Sequence, residues 1–566
     1  MPATQRRPPT RRRQRGPGGP PVRVVERRIG LLFALFLLLL GLAALRATWL
    51  GTVRAGSLSE RAVSQQIEDI ADPAGRGTIV DRNGVQLAVS EDSVTVFANP
   101  FLIKDPAKVA AKLAPLIGRS EDELLRKLSN QETGFIYLRR KMDASRGEDI
   151  EKLEIEGIGT VTEPKRTYPQ GFLASQMLGL VGTDNVGLSG LEYSQDESLS
   201  GEDGERRLVK DALGEPVSMI ETKRSKPGDD LALTLDASIQ ERTEAVLADV
   251  GQTYTPLGAT AVVMNPRTGE VLALANWPRV DANNVDDAPA YARKNRAIQG
   301  TYEPGSTFKA FTVSGALEEK LLEPGTTLEV PYEITVADRT VGEAHDSGGG
   351  TKTVARILAE SSNVGSVMIG LKLGAKRFDK WVRRFGFGRP TGVDLPGEES
   401  GIVLQPEHYS GSSMGNMPIG QGIAVTPMQM ATAYTAIANR GVMRRPYIVQ
   451  GEAPPPKRVL SRHTAEQVSD MLEGVLAAGG TAEEAQVEGY TLAGKTGTAE
   501  KAIPGGYSKT DFIASFIGYA PAKNPRLLVA VMVDTPRGDI YGGTVAAPAF
   551  ERIMEFALPY LKIPPG

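Results

Sequence analysis

The sequence predicts an α+β protein. Its carboxy-terminal part reads as an antiparallel sheet covered by helices, preceded by an elongated α+β module and one transmembrane helix. Three observations carry this. Apolar strand patterns stand at both ends of the last domain, Ala261–Asn265 with Val271–Ala275 and Phe512–Tyr519 with Leu527–Val533, and helical segments fill the interval. Seventeen uncharged residues, Ile29–Leu45, follow an arginine-rich start. The 566 residues exceed what a single ordinary core organises.

The transmembrane reading rests on length and flanks. Residues 1–28 carry nine arginines and one acid, Glu26, and 1–23 read as a disordered basic tail. The apolar run reaches a bilayer's thickness if it continues over 29–50, with Arg46 snorkelling and Trp49 at the interface. The arginine-rich flank stays cytoplasmic, which puts everything after residue 50 outside. An uncleaved anchor is expected rather than a signal peptide, because the run is long and no A-x-A site follows.

Residues 51–230 read as a non-catalytic module. A mixed helical stalk, 51–70, leads to strand Thr78–Val80, an Asn83-Gly84 turn and strand Val85–Val89. Val94–Phe97 is extended, Pro106–Ile117 and Glu121–Leu128 are helical, and Ser120 starts the second helix. Val161–Tyr168 is extended, Phe172–Leu180 is helical, and Gly187–Tyr193 opens a further helical stretch. The Ser/Gly/Asp-rich stretch 200–230 reads as a linker into the domain 231–566. No histidine and no outstanding carboxylate pair lies here, which argues for structure rather than chemistry.

In the last domain, helices are expected at Asp236–Leu247, Thr307–Leu321, Val354–Ser361, Val367–Leu373, Phe378–Phe385, Pro427–Arg440, Ala465–Ala478 and Pro548–Leu558. Composition narrows the chemistry. There is no cysteine, which removes disulfides and thiolate chemistry. His345, His408 and His463 have no metal-ligand spacing, so no histidine-based metal site is expected. The net charge of -3 implies no nucleic-acid partner.

Three motifs carry the chemistry. Ser306-Thr307-Phe308-Lys309 follows a Pro304-Gly305 turn, so Ser306 should open a helix with Lys309 on its face and Phe308 in the core. A desolvated lysine can take a serine's proton and make it a nucleophile. Ser361-Ser362-Asn363 stands at the end of an apolar helical segment. Lys495-Thr496-Gly497-Thr498 reads as an edge strand whose small glycine leaves room for an extended peptide substrate. Each motif alone is better explained by capping or an exposed hairpin. In this order, 55 and 134 residues apart, they form the signature of penicillin-interacting serine acyl enzymes.

With these residues the chain resembles the class B, monofunctional penicillin-binding proteins. Arg76-Gly77, Ile79, Asp81-Arg82 and Gly84 resemble the start of that family's pedestal module, and Arg166, Tyr168-Pro169 and Gly190-Leu191-Glu192 its further motifs. Asn295-Arg296-Ala297, Tyr302-Glu303-Pro304-Gly305-Ser306, Gly420-Gln421-Gly422 with Thr426-Pro427, and Gly494-Lys495-Thr496-Gly497-Thr498-Ala499 resemble the catalytic domain. The resemblance implies the penicillin-binding, serine β-lactamase-like fold and a D-Ala-D-Ala transpeptidase with Ser306 as nucleophile and Lys309 as base, working without a metal or organic cofactor. It implies Ser361, Asn363 and Lys495 in proton transfer and positioning, and Thr496, Gly497 and Thr498 in substrate binding. The backbone N–H groups of Ser306 and Thr498 would form the oxyanion hole.

Peptidoglycan stem peptides or precursor-derived strands are the implied substrate, and β-lactam antibiotics the implied ligands. A separate membrane glycosyltransferase and division-complex proteins are the implied partners. The compact 55-residue spacing looks like the septal branch. An elongation-type enzyme, a membrane-anchored β-lactamase or a β-lactam sensor are the alternatives.

Overall fold

The computed structural model describes residues 22–54, 67–210, 216–343, 349–451 and 453–565. Residues 1–21 of the basic tail, most of the expected stalk and His345 lie outside the described residues, whereas Val22–Arg28, expected as part of the tail, are helical. The chain divides into two compact units. One holds residues up to Asp72 together with Gly204–Arg224, and the other holds Pro73–Asp203 and Ser225–Gly566.

In the first unit an unbroken helix runs from Val22 to Thr52. Within Arg27–Thr52 an 18-residue window has a mean hydropathy of 2.5, and none of that window is buried in protein. At about 1.5 Å per residue this is ample for a bilayer core of roughly 30 Å. Arg46 and Arg54 lie over the Trp49 ring, 5.0 and 4.7 Å from its centre, a cation–π cluster suited to an interface. The rest of the unit corrects two expectations. Ile67–Asp72 is a strand, not the end of a helical stalk. The stretch expected to be a linker supplies two further strands, Gly204–Lys210 and Pro216–Lys223, and the three form an antiparallel sheet with Gly204–Lys210 in the middle. Consecutive charged residues, Glu68-Asp69 and Glu205-Arg206-Arg207, break the two-residue apolar period in these strands and hide them from a reading based on apolar residues.

The second unit begins with a short strand, Ile79–Val80, paired antiparallel with a long one, Gln86–Ala98, which also pairs antiparallel with Ile136–Asp143 and with Ile158–Thr167. Helices Pro106–Ile117 and Glu121–Leu128 occupy the expected ranges. Asp105 and Ser120 cap them by accepting from the Lys108 and Glu123 backbone amides. Leu113, Ile117, Leu124, Leu128 and Leu138 close a separate small core. Phe172–Leu180 is helical only over Ser175–Leu178.

The main sheet has five antiparallel strands in the order Val271–Trp277, Gly258–Met264, Leu527–Asp534, Gly506–Ala520, Ala493–Ile503. Gly258–Met264 is buried along its whole length and Leu527–Asp534 along nearly all of it, so both faces of the sheet are covered. Helices Ala237–Tyr254 and Ala547–Tyr560 pack on each other and on the sheet. A second group, Lys309–Glu318, Pro427–Ala438 and Arg462–Glu473, packs together, and its last two helices also touch the sheet. Ala493–Ile503, which carries the third motif, is the edge strand. One continuous core joins this domain to Ile79, Leu87, Leu191 and Leu199 of the preceding module.

Candidate active site

The site is built where the second helix group meets the edge strand. Ser306 is half-buried in a tight 3-10 turn, Gly305–Phe308, and the regular helix starts only at Lys309. The turn is held from several sides. Tyr434 OH donates to the Thr307 carbonyl at 2.7 Å, and Thr307 Oγ1 donates to the Pro304 carbonyl at 2.7 Å. The Gly305 N–H donates to the Gly420 carbonyl at 3.0 Å. Gly420 has φ +78°, and a Cβ there would lie 2.2 Å from the Gly305 carbonyl oxygen, so only glycine fits. Beneath the turn, Phe308 packs on Phe311, Phe378 and Phe387. These contacts over-determine the position of Ser306.

Lys309 is fully buried. Its Nζ donates to the Ser361 carbonyl at 2.5 Å, to Asn363 Oδ1 at 2.6 Å and to Ser361 Oγ at 3.3 Å. The second motif therefore converges on the lysine of the first. Ser361 achieves this with a left-handed backbone, φ +59°, between helices Val354–Ala359 and Asn363–Leu373. A non-glycine residue in that region stores strain, and here the kink turns its carbonyl and hydroxyl onto one amine. Burial pushes the Lys309 amine down to about 7, with Glu343 acting in the opposite direction. Near neutrality it can both hold and release a proton.

The third motif departs from expectation in one respect, at Gly497. Lys495 is fully buried, against the alternative of an exposed hairpin. Burial, and next the nearby Lys309, push its amine well below the ordinary lysine range. Two amines so placed disfavour holding a proton each, so charge on one opposes charge on the other. Gly497, in turn, does not make room for substrate. A Cβ there would meet Ser515 Oγ at 2.4 Å, the Pro304 carbonyl at 3.0 Å and Thr307 Cγ2 at 3.0 Å. The glycine lets the edge strand lie against the nucleophile turn itself.

Thr496 and Thr498 point into an open cleft also lined by Thr481, Arg356, Glu360, Tyr541 and Thr544. Thr496 Oγ1 hydrogen-bonds with Thr481 Oγ1 at 2.7 Å and lies 3.3 Å from Lys495 Nζ. Thr498 Oγ1 accepts from the Gly542 N–H at 3.0 Å.

A buried serine turn, a lysine with a lowered pKa, and an edge strand beside them form an acyl-transfer geometry, and sequence comparisons agree. Residues 259–555 match the penicillin binding protein transpeptidase domain, and residues 71–233 match the penicillin-binding protein dimerisation domain. The chain belongs to the penicillin-binding protein transpeptidases. Stage V sporulation protein D of Bacillus subtilis is 36% identical over 510 residues, covering 87% of this chain and 79% of that protein. Peptidoglycan D,D-transpeptidase FtsI of Escherichia coli K12 is 32% identical over 555 residues, covering 95% and 92%. The crystal structure of penicillin binding protein 3 from Mycobacterium tuberculosis with aztreonam superposes with a TM-score of 0.68 at 30% identity, covering 88% and 98%.

The family's pedestal signature also resolves into one feature. Three stretches far apart in this penicillin-binding protein, at Arg76, Arg166 and Glu192, meet in a buried charge cluster. Glu192 accepts from Arg76 Nε at 3.0 Å and from Arg166 Nε at 2.6 Å. Arg76 NH1 also reaches Asp196 at 2.6 Å, and Arg166 NH1 reaches the Gly77 carbonyl at 2.7 Å. A Cβ on Gly77 would lie 1.9 Å from the Asp229 carbonyl oxygen, which accounts for the glycine after Arg76. Among the described residues Val22–Thr52 is the one helix long and apolar enough to cross a membrane, which fits a single-pass protein with its catalytic domain outside.

One residue of the site has no sequence signal. Glu343, at the end of the hairpin strand Arg339–Gly342, accepts from Ser362 Oγ and from the Asn363 N–H, the latter at 2.7 Å. Nothing in its immediate neighbours marks it, because its partners are 19 and 20 residues away.

Proposed function

We propose that this penicillin-binding protein cross-links peptidoglycan by a two-step acyl transfer through Ser306. Lys309 takes the Ser306 proton, and Oγ attacks the carbonyl carbon of the penultimate D-Ala of a stem peptide. The backbone N–H groups of Ser306 and Thr498 hold the oxyanion of the tetrahedral intermediate. The C–N bond breaks, and the departing D-Ala amine takes the proton held by Lys309, passed on through Ser361 and Lys495, so that Lys309 is neutral again. A stem-peptide amine of a second strand then attacks the ester carbon and loses a proton to Lys309, which returns it to Ser306 Oγ as the ester C–O bond breaks. Asn363 holds Lys309 and the substrate amide, and Lys495, Thr496 and Thr498 receive the terminal carboxylate beside Gly497. Acylation by a β-lactam uses the same steps with the ring amide.

The observation that carries this reading is Lys309, a buried amine held near neutrality and gripped by Ser361 and Asn363. The test is covalent labelling with a fluorescent penicillin. Ser306→Ala, folded as judged by its thermal midpoint, is expected to take no label. Labelling equal to the wild type overturns the assignment.

The septal, division-associated role rests on kinship with proteins named FtsI and PenA, 32–35% identical to this chain. In this reading residues 1–28 form a cytoplasmic tail, 29–50 an uncleaved anchor, 51–230 the pedestal and 231–566 the transpeptidase domain. A separate membrane glycosyltransferase and division-complex proteins complete the machinery. Depletion in a rod-shaped host is expected to give filaments; uniformly rounded cells would favour elongation.

A further inference from the structure

We infer that Glu343 is a positioning residue for acylation: its carboxylate, by holding Ser362 and the Asn363 amide, fixes the carbonyl and amide oxygens that orient the Lys309 amine. The inference rests on Lys309 being the base for Ser306.

The geometry runs through one short chain of contacts. Glu343 Oε2 accepts from the Asn363 N–H at 2.7 Å, and Oε1 accepts from Ser362 Oγ. Ser362 Oγ in turn accepts from the Gly365 N–H at 3.0 Å, capping the helix Asn363–Leu373. The backbone next to Glu343 adds a third tie, because Asn363 Nδ2 donates to the Gly342 carbonyl at 3.1 Å. That bond orients the Asn363 amide so that Oδ1 faces Lys309 Nζ at 2.6 Å. The same peptide carries Ser361, whose left-handed backbone is costly and needs external fixing. Without the carboxylate, the Asn363 N–H and Ser362 hydroxyl lose their acceptor, and the strained corner that aims two oxygens at Lys309 loses its brace.

Charge gives Glu343 a second lever. The charged groups facing Lys309 among the described residues are Glu343 and Lys495; its other neighbours, Ser361 and Asn363, are neutral. Burial lowers the Lys309 pKa and Glu343 opposes that lowering. Removing the negative charge therefore lowers it further and leaves the amine neutral at more acid pH. A residue that only stabilised the fold would not move this profile.

The experiment uses the full chain in detergent and the second-order rate of acylation by fluorescent penicillin, measured across pH. Glu343→Ala removes brace and charge and is expected to slow acylation at the plateau by about tenfold or more. Glu343→Gln keeps one acceptor and a donor to Ser362 Oγ, so its plateau should stay within about threefold of wild type. Its acid limb should move to lower pH by about half a unit. Wild-type and Ser306→Ala controls separate the two readings. If Ser306→Ala still labels, the assignment of the nucleophile falls. If labelling requires Ser306 but both Glu343 variants superimpose on the wild type, only the Glu343 inference falls. A slow Glu343→Ala with a lowered thermal midpoint, beside an unshifted Glu343→Gln profile, also overturns it.

Discussion

The pedestal and the catalytic site each bury two cations, but only the pedestal buries a shared counter-charge between them. Arg76 and Arg166 grip Glu192, which is completely inaccessible, and every contact has ion-pair geometry. Lys309 and Lys495 have hydroxyl, carbonyl and amide oxygens as hydrogen-bond partners. The nearest carboxylate, Glu343, directs its own hydrogen bonds to Ser362 and Asn363. A buried charge with its partner is held in one state and makes a joint. A buried amine without one is free to give up its proton, which is what an acyl-transfer base must do.

The comparison is open to direct attack. The largest effect is expected from Lys309→Met, which removes the base. Acylation by penicillin should fall by about 10²–10⁴-fold while the protein stays folded. A stopped-flow or gel-based rate within tenfold of wild type would mean that the unpaired lysine is not the base.

Next comes Glu192→Gln, which takes the shared carboxylate from both buried guanidiniums and leaves Arg76 with the half-exposed Asp196. Breaking a buried pair on one side costs about 3–5 kcal/mol, so the thermal midpoint should drop sharply. Acylation per folded molecule should be unchanged. A normal midpoint, or a selective loss of rate, would erase the distinction between joint and site.

Gly497→Ala should cost about 1–3 kcal/mol, because its methyl must displace Ser515 Oγ, the Pro304 carbonyl or Thr307. Since two of those belong to the nucleophile turn, acylation should slow as well. A stable variant with full acylation would mean that the strand and turn can separate without consequence.

The smallest effect has the opposite sign from Glu192→Gln. Lys309 has a folded pKa of about 7, below its ordinary 10.5, and Lys495 is displaced in the same direction. Between about pH 7 and 10.5 the unfolded chain binds the Lys309 proton and the folded chain does not. Stability from this group therefore rises with pH through that window and is lowest below it. Lys495→Met should raise stability at pH 7 by about 1 kcal/mol while slowing acylation at least about tenfold. Calorimetry at pH 7 and pH 10 checks both sign and trend. A destabilised Lys495→Met would show that its amine is paired in the fold after all.

Much of this was legible in the sequence wherever the information is local. The helices Pro106–Ile117 and Glu121–Leu128, with caps at Asp105 and Ser120, follow from short-range periodicity and hydrogen bonding. The other four strands of the main sheet follow from apolar runs bounded by turns, and the edge strand from the setting of the third motif. Ser306, Lys309, Ser361, Asn363 and Lys495 are named by order and spacing, and the fold brings Lys309 against Ser361 and Asn363.

What only the tertiary structure decided is everything that depends on which distant atoms meet. The strands Gly204–Lys210 and Pro216–Lys223 are recognised by their pairing with Ile67–Asp72, not by an apolar pattern. Arg76, Arg166 and Glu192 read as three separate motifs until the chain folds them onto one carboxylate. Gly497 is small because of Pro304, Thr307 and Ser515, and Glu343 matters because of Ser362 and Asn363. The protonation of Lys309 and Lys495 belongs to this class too. A sequence determines which residues can carry a proton, but the free energy of the charge depends on the water removed around it, and only packing removes that water.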